Sequence, residues 1–126
     1  MLRPGGTAVV SVYYKNFILR NWKWLSGLSA LLGRAGAVLR GGGREGIYKE
    51  SDIDEIVRLY DGDKNPIGKA YSKMEFTSML EPYFTVNDHF LNFFPARTLP
   101  FPMPKFLHRW LDREVGFLIN MVLTKK

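Results

Sequence analysis

No cysteine occurs in the 126 residues, which excludes disulfide staples, thiolate nucleophiles and cysteine-based zinc sites. Histidine is nearly as scarce. His89 and His108 are the only two, too few to predict a protein-bound catalytic zinc, and no metal site is expected. No uninterrupted apolar run approaches the roughly 20 residues that span a bilayer. The most apolar stretch, 17–32, is broken by Arg20, Asn21 and Lys23. A secretory signal is not expected either, because Pro4-Gly5-Gly6 stands where a basic-then-apolar pattern should begin. These absences predict a soluble, cytoplasmic chain. Acidic residues are missing from the beginning as well, the first being Glu45.

With 46% hydrophobic and 24% charged residues, the chain is too apolar for intrinsic disorder and long enough for one small domain. Its net charge of +6 is unevenly placed. Residues 1–50 carry eight Lys/Arg against two acids, whereas residues 51–126 carry ten of each sign. A basic first segment containing Trp22, Lys23 and Trp24 suits an anionic partner: nucleic acid, an anionic membrane surface or an acidic substrate. A solvated helix whose cations lie outward is the simpler account, because aromatic-plus-basic helices are common and carry no base-reading information by themselves.

Pro4-Gly5-Gly6 is a turn signal, because proline presets φ and glycine supplies positive φ. It leads into TAVVSVYY, Thr7–Tyr14, a β-branched and aromatic run that reads as a buried strand. A turn joins two elements, yet three residues precede this one, so the chain is expected to begin in the middle of a fold. Asn16 can cap a helix over 17–32, with Ile18, Trp22, Leu25, Leu28 and Leu32 along one face. Gly33, Gly36 and Gly41-Gly42-Gly43 predict a flexible linker over 33–50. The triple glycine lacks the Gly-Lys-Ser/Thr that a phosphate-binding loop needs.

Ser51 and Asp54 suggest a capping box for a helix through Leu59. Asp61-Gly62-Asp63-Lys64-Asn65 imitates the start of a calcium loop. The imitation fails at the sixth position, which is Pro66 instead of glycine, and at the twelfth, which is Ser72 instead of a bidentate glutamate. Ser72 and Glu75 form a second capping box, followed by Phe76, Met79, Leu80 and Tyr83 at helical spacing and stopped by Pro82. Residues 84–94 alternate imperfectly, with Val86, Phe90 and Phe94 expected on the buried side and Asn87 and His89 opposite. Pro95, Pro100, Pro102 and Pro104 predict a loop, and Phe106, Leu107, Trp110 and Leu111 the inner face of a short helix. Residues 117–124 read as a strand apolar on both faces. The alternation of strands and helices predicts α/β layering in one domain over 1–126.

Catalytic constellations are absent: the sequence has no nucleophile elbow, no HExxH, and no G-x-G-x-x-G after a strand. No catalytic residue is therefore expected in this chain. Ligands in open α/β sheets sit beyond the carboxyl ends of the strands. Tyr13, Tyr14, Lys15 and Asn16 occupy that position after the first strand and are the expected substrate-binding residues. The rings can wall a pocket and Lys15 can attract an anion. The tyrosines can equally pack the first turn of the next helix.

Leu2-Arg3-Pro4-Gly5-Gly6 followed by Thr7-Ala8-Val9-Val10-Ser11-Val12 resembles the stretch that precedes and forms the fifth strand of class I S-adenosylmethionine-dependent methyltransferases. Asp61-Gly62…Asn65-Pro66 and Tyr71-Ser72-Lys73-Met74-Glu75-Phe76 are similar to a segment of one bacterial subgroup of that family. The ending from Gly116 to Lys126 resembles its closing strand. The resemblance covers nearly the whole chain in the family's order. It implies the C-terminal half of a Rossmann-like methyltransferase domain, with S-adenosylmethionine as cofactor, an unidentified methyl acceptor, and the donor-binding half missing. It also implies a sheet of about three strands in which the C-terminal strand lies antiparallel between Thr7–Tyr14 and residues 85–93. Thr7–Tyr14 would then be an exposed edge open to self-association.

Overall fold

The computed structural model describes residues 2–25, 27, 31, 34, 50–61, 68–95 and 102–126. The strands are β1 (Thr7–Tyr14), β2 (Ala70–Tyr71), β3 (Phe84–Asn92) and β4 (Leu118–Lys125). The helices are α1 (Phe17–Arg20), α2 (Ile53–Asp61), α3 (Lys73–Leu80) and α4 (Lys105–Val115). The protein is α/β, with a four-stranded mixed sheet in the order β2-β1-β4-β3. The last strand is central and antiparallel to both β1 and β3, while β1 and β2 run parallel.

The expected three strands become four. The additional one, β2, is two residues long and pairs with Tyr13 and Tyr14. The edge expected over all of Thr7–Tyr14 is therefore covered at its carboxyl end. Among the described residues no strand pairs with the outer side of Thr7 to Val12.

Local sequence explains the entry into β1. Gly6 N–H donates to Arg3 O at 2.9 Å across a turn with Pro4 second and Gly5 third, and Gly5 has φ +78°. That is the type II geometry, in which the third position requires a residue free to take positive φ. Gly5 N–H also donates to Lys125 O at 2.8 Å, fastening the turn to the end of β4.

Successive residues of a strand face opposite sides of a sheet, and Tyr13 and Tyr14 show where each layer lies. Tyr14 and Val12 pack with Phe76 of α3 and with Ile119, Met121 and Leu123 of β4. Tyr13 packs on the other side, with Leu19, Ile56, Val57, Ala70, Trp22, Ile53 and Phe117. Thus α3 covers one face, and α1 and α2 cover the other beside the carboxyl end of β1. The central strand is not wholly apolar. Asn120 is 5% exposed on the Tyr13 side, where it accepts from Ser11 Oγ and donates to Asn92 Oδ1 at 3.0 Å.

Strand β3 corrects the expected alternation. Val86 pairs with Leu123 and Asp88 with Val122, so Asn87 is an extra residue, a β-bulge that exchanges the two faces. Before the bulge Phe84 and Val86 pack on the Met121 cluster; after it Leu91 does, and Phe90 is exposed on the opposite side instead of buried.

Helix boundaries follow their caps. The Ser72–Glu75 capping box forms as expected, and α3 ends at Leu80 before Pro82. For α2 the expected Ser51–Asp54 box is replaced by Asp52, whose Oδ1 accepts from Glu55 N–H at 3.0 Å. Asp54 instead accepts from Ala70 N–H at 2.9 Å and anchors β2. The helix expected over 17–32 is α-helical over Phe17–Arg20, turns over 21–25 and is helical again at Gly27 and Leu31, as is Arg34 in the linker expected over 33–50; most of the rest of both segments lies outside the described residues. So does the centre of the calcium-loop imitation.

The inner face of α4 also differs from expectation. Leu107 and Leu111 are half-buried, but Phe106 and Trp110 are 76% and 57% exposed. The helix is oriented by polar contacts: Asp112 Oδ1 accepts from Phe94 N–H at 2.6 Å, and His108 Nε2 lies 3.0 Å from Phe94 O. These two residues, one turn apart, grip a single stretch of backbone and fix which side of α4 meets β3. Among the described residues no helix is long and apolar enough to cross a membrane.

Candidate functional site

Beyond the carboxyl ends of β1 and β2 the chain turns from the sheet into α1 and α3. Asn16 makes the first of these turns. With φ −70° and ψ 177° it is extended, and its Oδ1 accepts from Leu19 N–H at 2.9 Å, the N-cap geometry. Its Nδ2 donates to Val115 O at 3.0 Å, at the end of α4. Asn16 is 2% exposed. This expected substrate residue therefore shapes the site from beneath its floor.

Lys15 lies at the surface of the same turn. Its Nζ stands 3.2 Å from both carboxylate oxygens of Glu75. Glu75 also accepts from Ser72 N–H at 2.7 Å. The backbone and hydroxyl of Ser72, followed by the Lys15 ammonium, hold the Glu75 carboxyl down at about 2. Glu75 is thus an anion throughout the neutral range and keeps Lys15 over the start of α3.

A cleft of about 430 Å³ opens beside this pair, lined by Lys15, Leu19, Arg20, Lys23, Ser51, Asp52, Ile53 and Asp54. Arg20 also borders a second cleft of about 520 Å³, over Ser72, the N-cap of α3, and Met74, Thr77 and Ser78 within it. The acids of the first cleft are engaged, Asp52 by Glu55 N–H and Asp54 by Ala70 N–H. Of the three cations lining the space, Lys15 is paired with Glu75. The arrangement can hold and orient an anionic or polar molecule; it presents no nucleophile paired with a base.

Of the four residues expected here, Lys15 alone lines the cleft. The Tyr13 ring packs with α1 and α2 while its hydroxyl donates to Asp61 Oδ1 at 2.7 Å. Tyr14 turns to the opposite face. The two rings divide between the layers rather than walling one pocket. Arg20 and Lys23 appear in the sequence as part of a basic run, but nothing in it joins them to Asp52 and Asp54 some thirty residues later. Trp22, expected in a basic binding surface, packs half-buried on Leu19, whereas Trp24 is 89% exposed. Neither histidine belongs to the site. His89 is exposed on β3, and His108 grips Phe94. No cluster of three metal-ligating side chains occurs among the described residues.

Asn16→Ala should lower stability by about 2 kcal/mol, the cap contributing about half and the orphaned Val115 carbonyl the rest. Asn16→Ser keeps an oxygen acceptor for Leu19 N–H, and urea unfolding should show it recovering about half of the loss. Equal losses for the two variants would assign the cap no share.

Protein-family models, curated proteins and solved structures were all compared with this chain, and none of the three comparisons produced a match.

Proposed function

We propose that this chain is the C-terminal, acceptor-side part of a class I S-adenosylmethionine-dependent methyltransferase domain. The observation that supports the reading is the strand order: β4, last in sequence, lies antiparallel between β1 and β3, the order the sequence resemblance implies. The type II turn at Arg3–Gly6 leads into β1 where that family places its proline-glycine turn.

S-adenosylmethionine would supply the electrophilic methyl group. The cleft beside Lys15 does not fit the donor, because its two acids are bound to backbone N–H groups and no glycine-rich loop approaches it among the described residues. Donor binding is therefore assigned to the half of the domain that comes before β1 in the family. Lys15, Arg20 and Lys23 would attract and orient the methyl acceptor, with Asn16 fixing the turn that carries them. Catalysis by proximity and orientation asks no general base of these residues.

Calorimetry with S-adenosylhomocysteine tests the proposal on two products: residues 1–126, and the same chain extended by the coding sequence upstream. Residues 1–126 should show no saturable binding. The extended chain should bind with a micromolar Kd, about −8 kcal/mol. No binding by the extended chain overturns the proposal, and saturable binding by residues 1–126 overturns the assignment of the donor to the preceding half.

A further inference from the structure

Helix α4 carries two apolar faces, and one of them is turned to solvent. Leu107 and Leu111 are half-buried. Phe106 and Trp110 are four residues apart, so they stand one above the other on the outer face, 76% and 57% exposed. Beside this pair runs a second row at the same spacing, Lys105, Arg109 and Arg113, all exposed. One exposed acid, Glu114, lies near them; Asp112 is turned inward to Phe94 N–H. The segment leading into the helix contributes Pro102 and Pro104, both exposed and uncharged.

We propose that the outer face of α4 docks on an anionic lipid bilayer surface, with Phe106 and Trp110 inserted at the headgroup level and Lys105, Arg109 and Arg113 on lipid phosphates and carboxylates. The inference stands apart from the methyltransferase reading and uses none of its residues. Charge complementarity selects this occupant. The face combines bulky aromatic side chains with a flanking cationic row, the composition of helices that lie in the membrane interface. Tryptophan suits that depth because its ring is amphipathic. A nucleic acid fits less well. On a duplex the pair at the centre of the face, Phe106 and Trp110, would be seated against a phosphate backbone and gain little. The helix is only 11 residues long, so it lies on a bilayer and does not cross one.

The test is co-sedimentation of the whole chain with phosphatidylcholine vesicles, with and without phosphatidylglycerol. Binding is expected to the mixed vesicles, to fall steeply as salt is raised, and to be weak on phosphatidylcholine alone. Phe106→Ala with Trp110→Ala should reduce binding at least about tenfold, because both side chains lose their buried area in the interface. Arg109→Glu with Arg113→Glu should do the same by reversing the charge. All four side chains are exposed, and unchanged circular dichroism establishes that the variants fold. Loss of vesicle binding on Trp24→Ala, with binding retained by the Phe106/Trp110 variant, overturns the assignment to α4. So does absence of binding to the mixed vesicles, or binding to an RNA oligonucleotide in its place.

Discussion

Gly116→Ala is expected to lower the free energy of unfolding by about 3 kcal/mol, the upper end of the range for overpacking. Gly116 adopts φ −56° and ψ 144°, a conformation open to any residue, so the effect is one of space alone. A methyl group there would sit 2.5 Å from Asn92 O and Asp112 O and 2.7 Å from Asn92 N. All three are backbone atoms, one from the last turn of α4 and two from the end of β3, and neither side can yield without moving its whole element. The least costly response pushes α4 away from β3. That movement would loosen the contacts of Asp112 and His108 with Phe94, so the near-ultraviolet circular dichroism should weaken together with the stability. A variant that lost stability with an unchanged near-ultraviolet spectrum would show that the strain is absorbed elsewhere.

Met121→Ala should cost about as much, roughly 3 kcal/mol within the 2–5 seen for such truncations, and lower Tm by about 10 °C. Met121 is fully buried in the middle of the central strand, among Ile119, Leu123 and Phe76, with Val12, Val86 and Leu91 around them. Both neighbouring strands are paired to its backbone, at Val10 and His89, so the sheet cannot close over the cavity. Met121→Leu, which nearly conserves the volume, should cost less than about 1.5 kcal/mol. Thermal unfolding of the pair separates volume from chemistry: similar losses would mean that the thioether, and not the space it fills, matters at this position.

Features fixed by neighbours in sequence were legible before the structure. The Arg3–Gly6 turn follows from proline and glycine dihedrals, and the α3 cap needs only Ser72 and Glu75. The central place of β4 came with the family resemblance, and the largely apolar run over 117–124 suits it. What the sequence hid depends on pairing across the fold. The bulge at Asn87 is invisible until β3 is laid against β4, and without it Phe90 takes the place of Leu91. Strand β2 is too short to carry a period and exists because Asp54, sixteen residues before Ala70, holds its backbone. In α4 both faces carry large apolar residues, so periodicity could not choose between them. His108 and Asp112 make the choice through Phe94. At the candidate site, Lys15 was placed by the strand-end rule, but the partner of Asn16 at Val115 lies 99 residues away.

The β1–β4 ladder joins segments far apart in sequence, from Thr7 against Thr124 to Tyr13 against Leu118. Such pairing is the slowest to form, because a long loop must close before any of its contacts reward the closure. It also orders events on the ribosome. At about 5–20 residues per second, β1 emerges several seconds before β4 has been made. Throughout that interval an uncharged, β-branched strand waits without its β4 partner. Newly made chains are thus most exposed to chaperones, and to one another, until β4 arrives, and the docking of that eight-residue strand is the step that covers one side of β1.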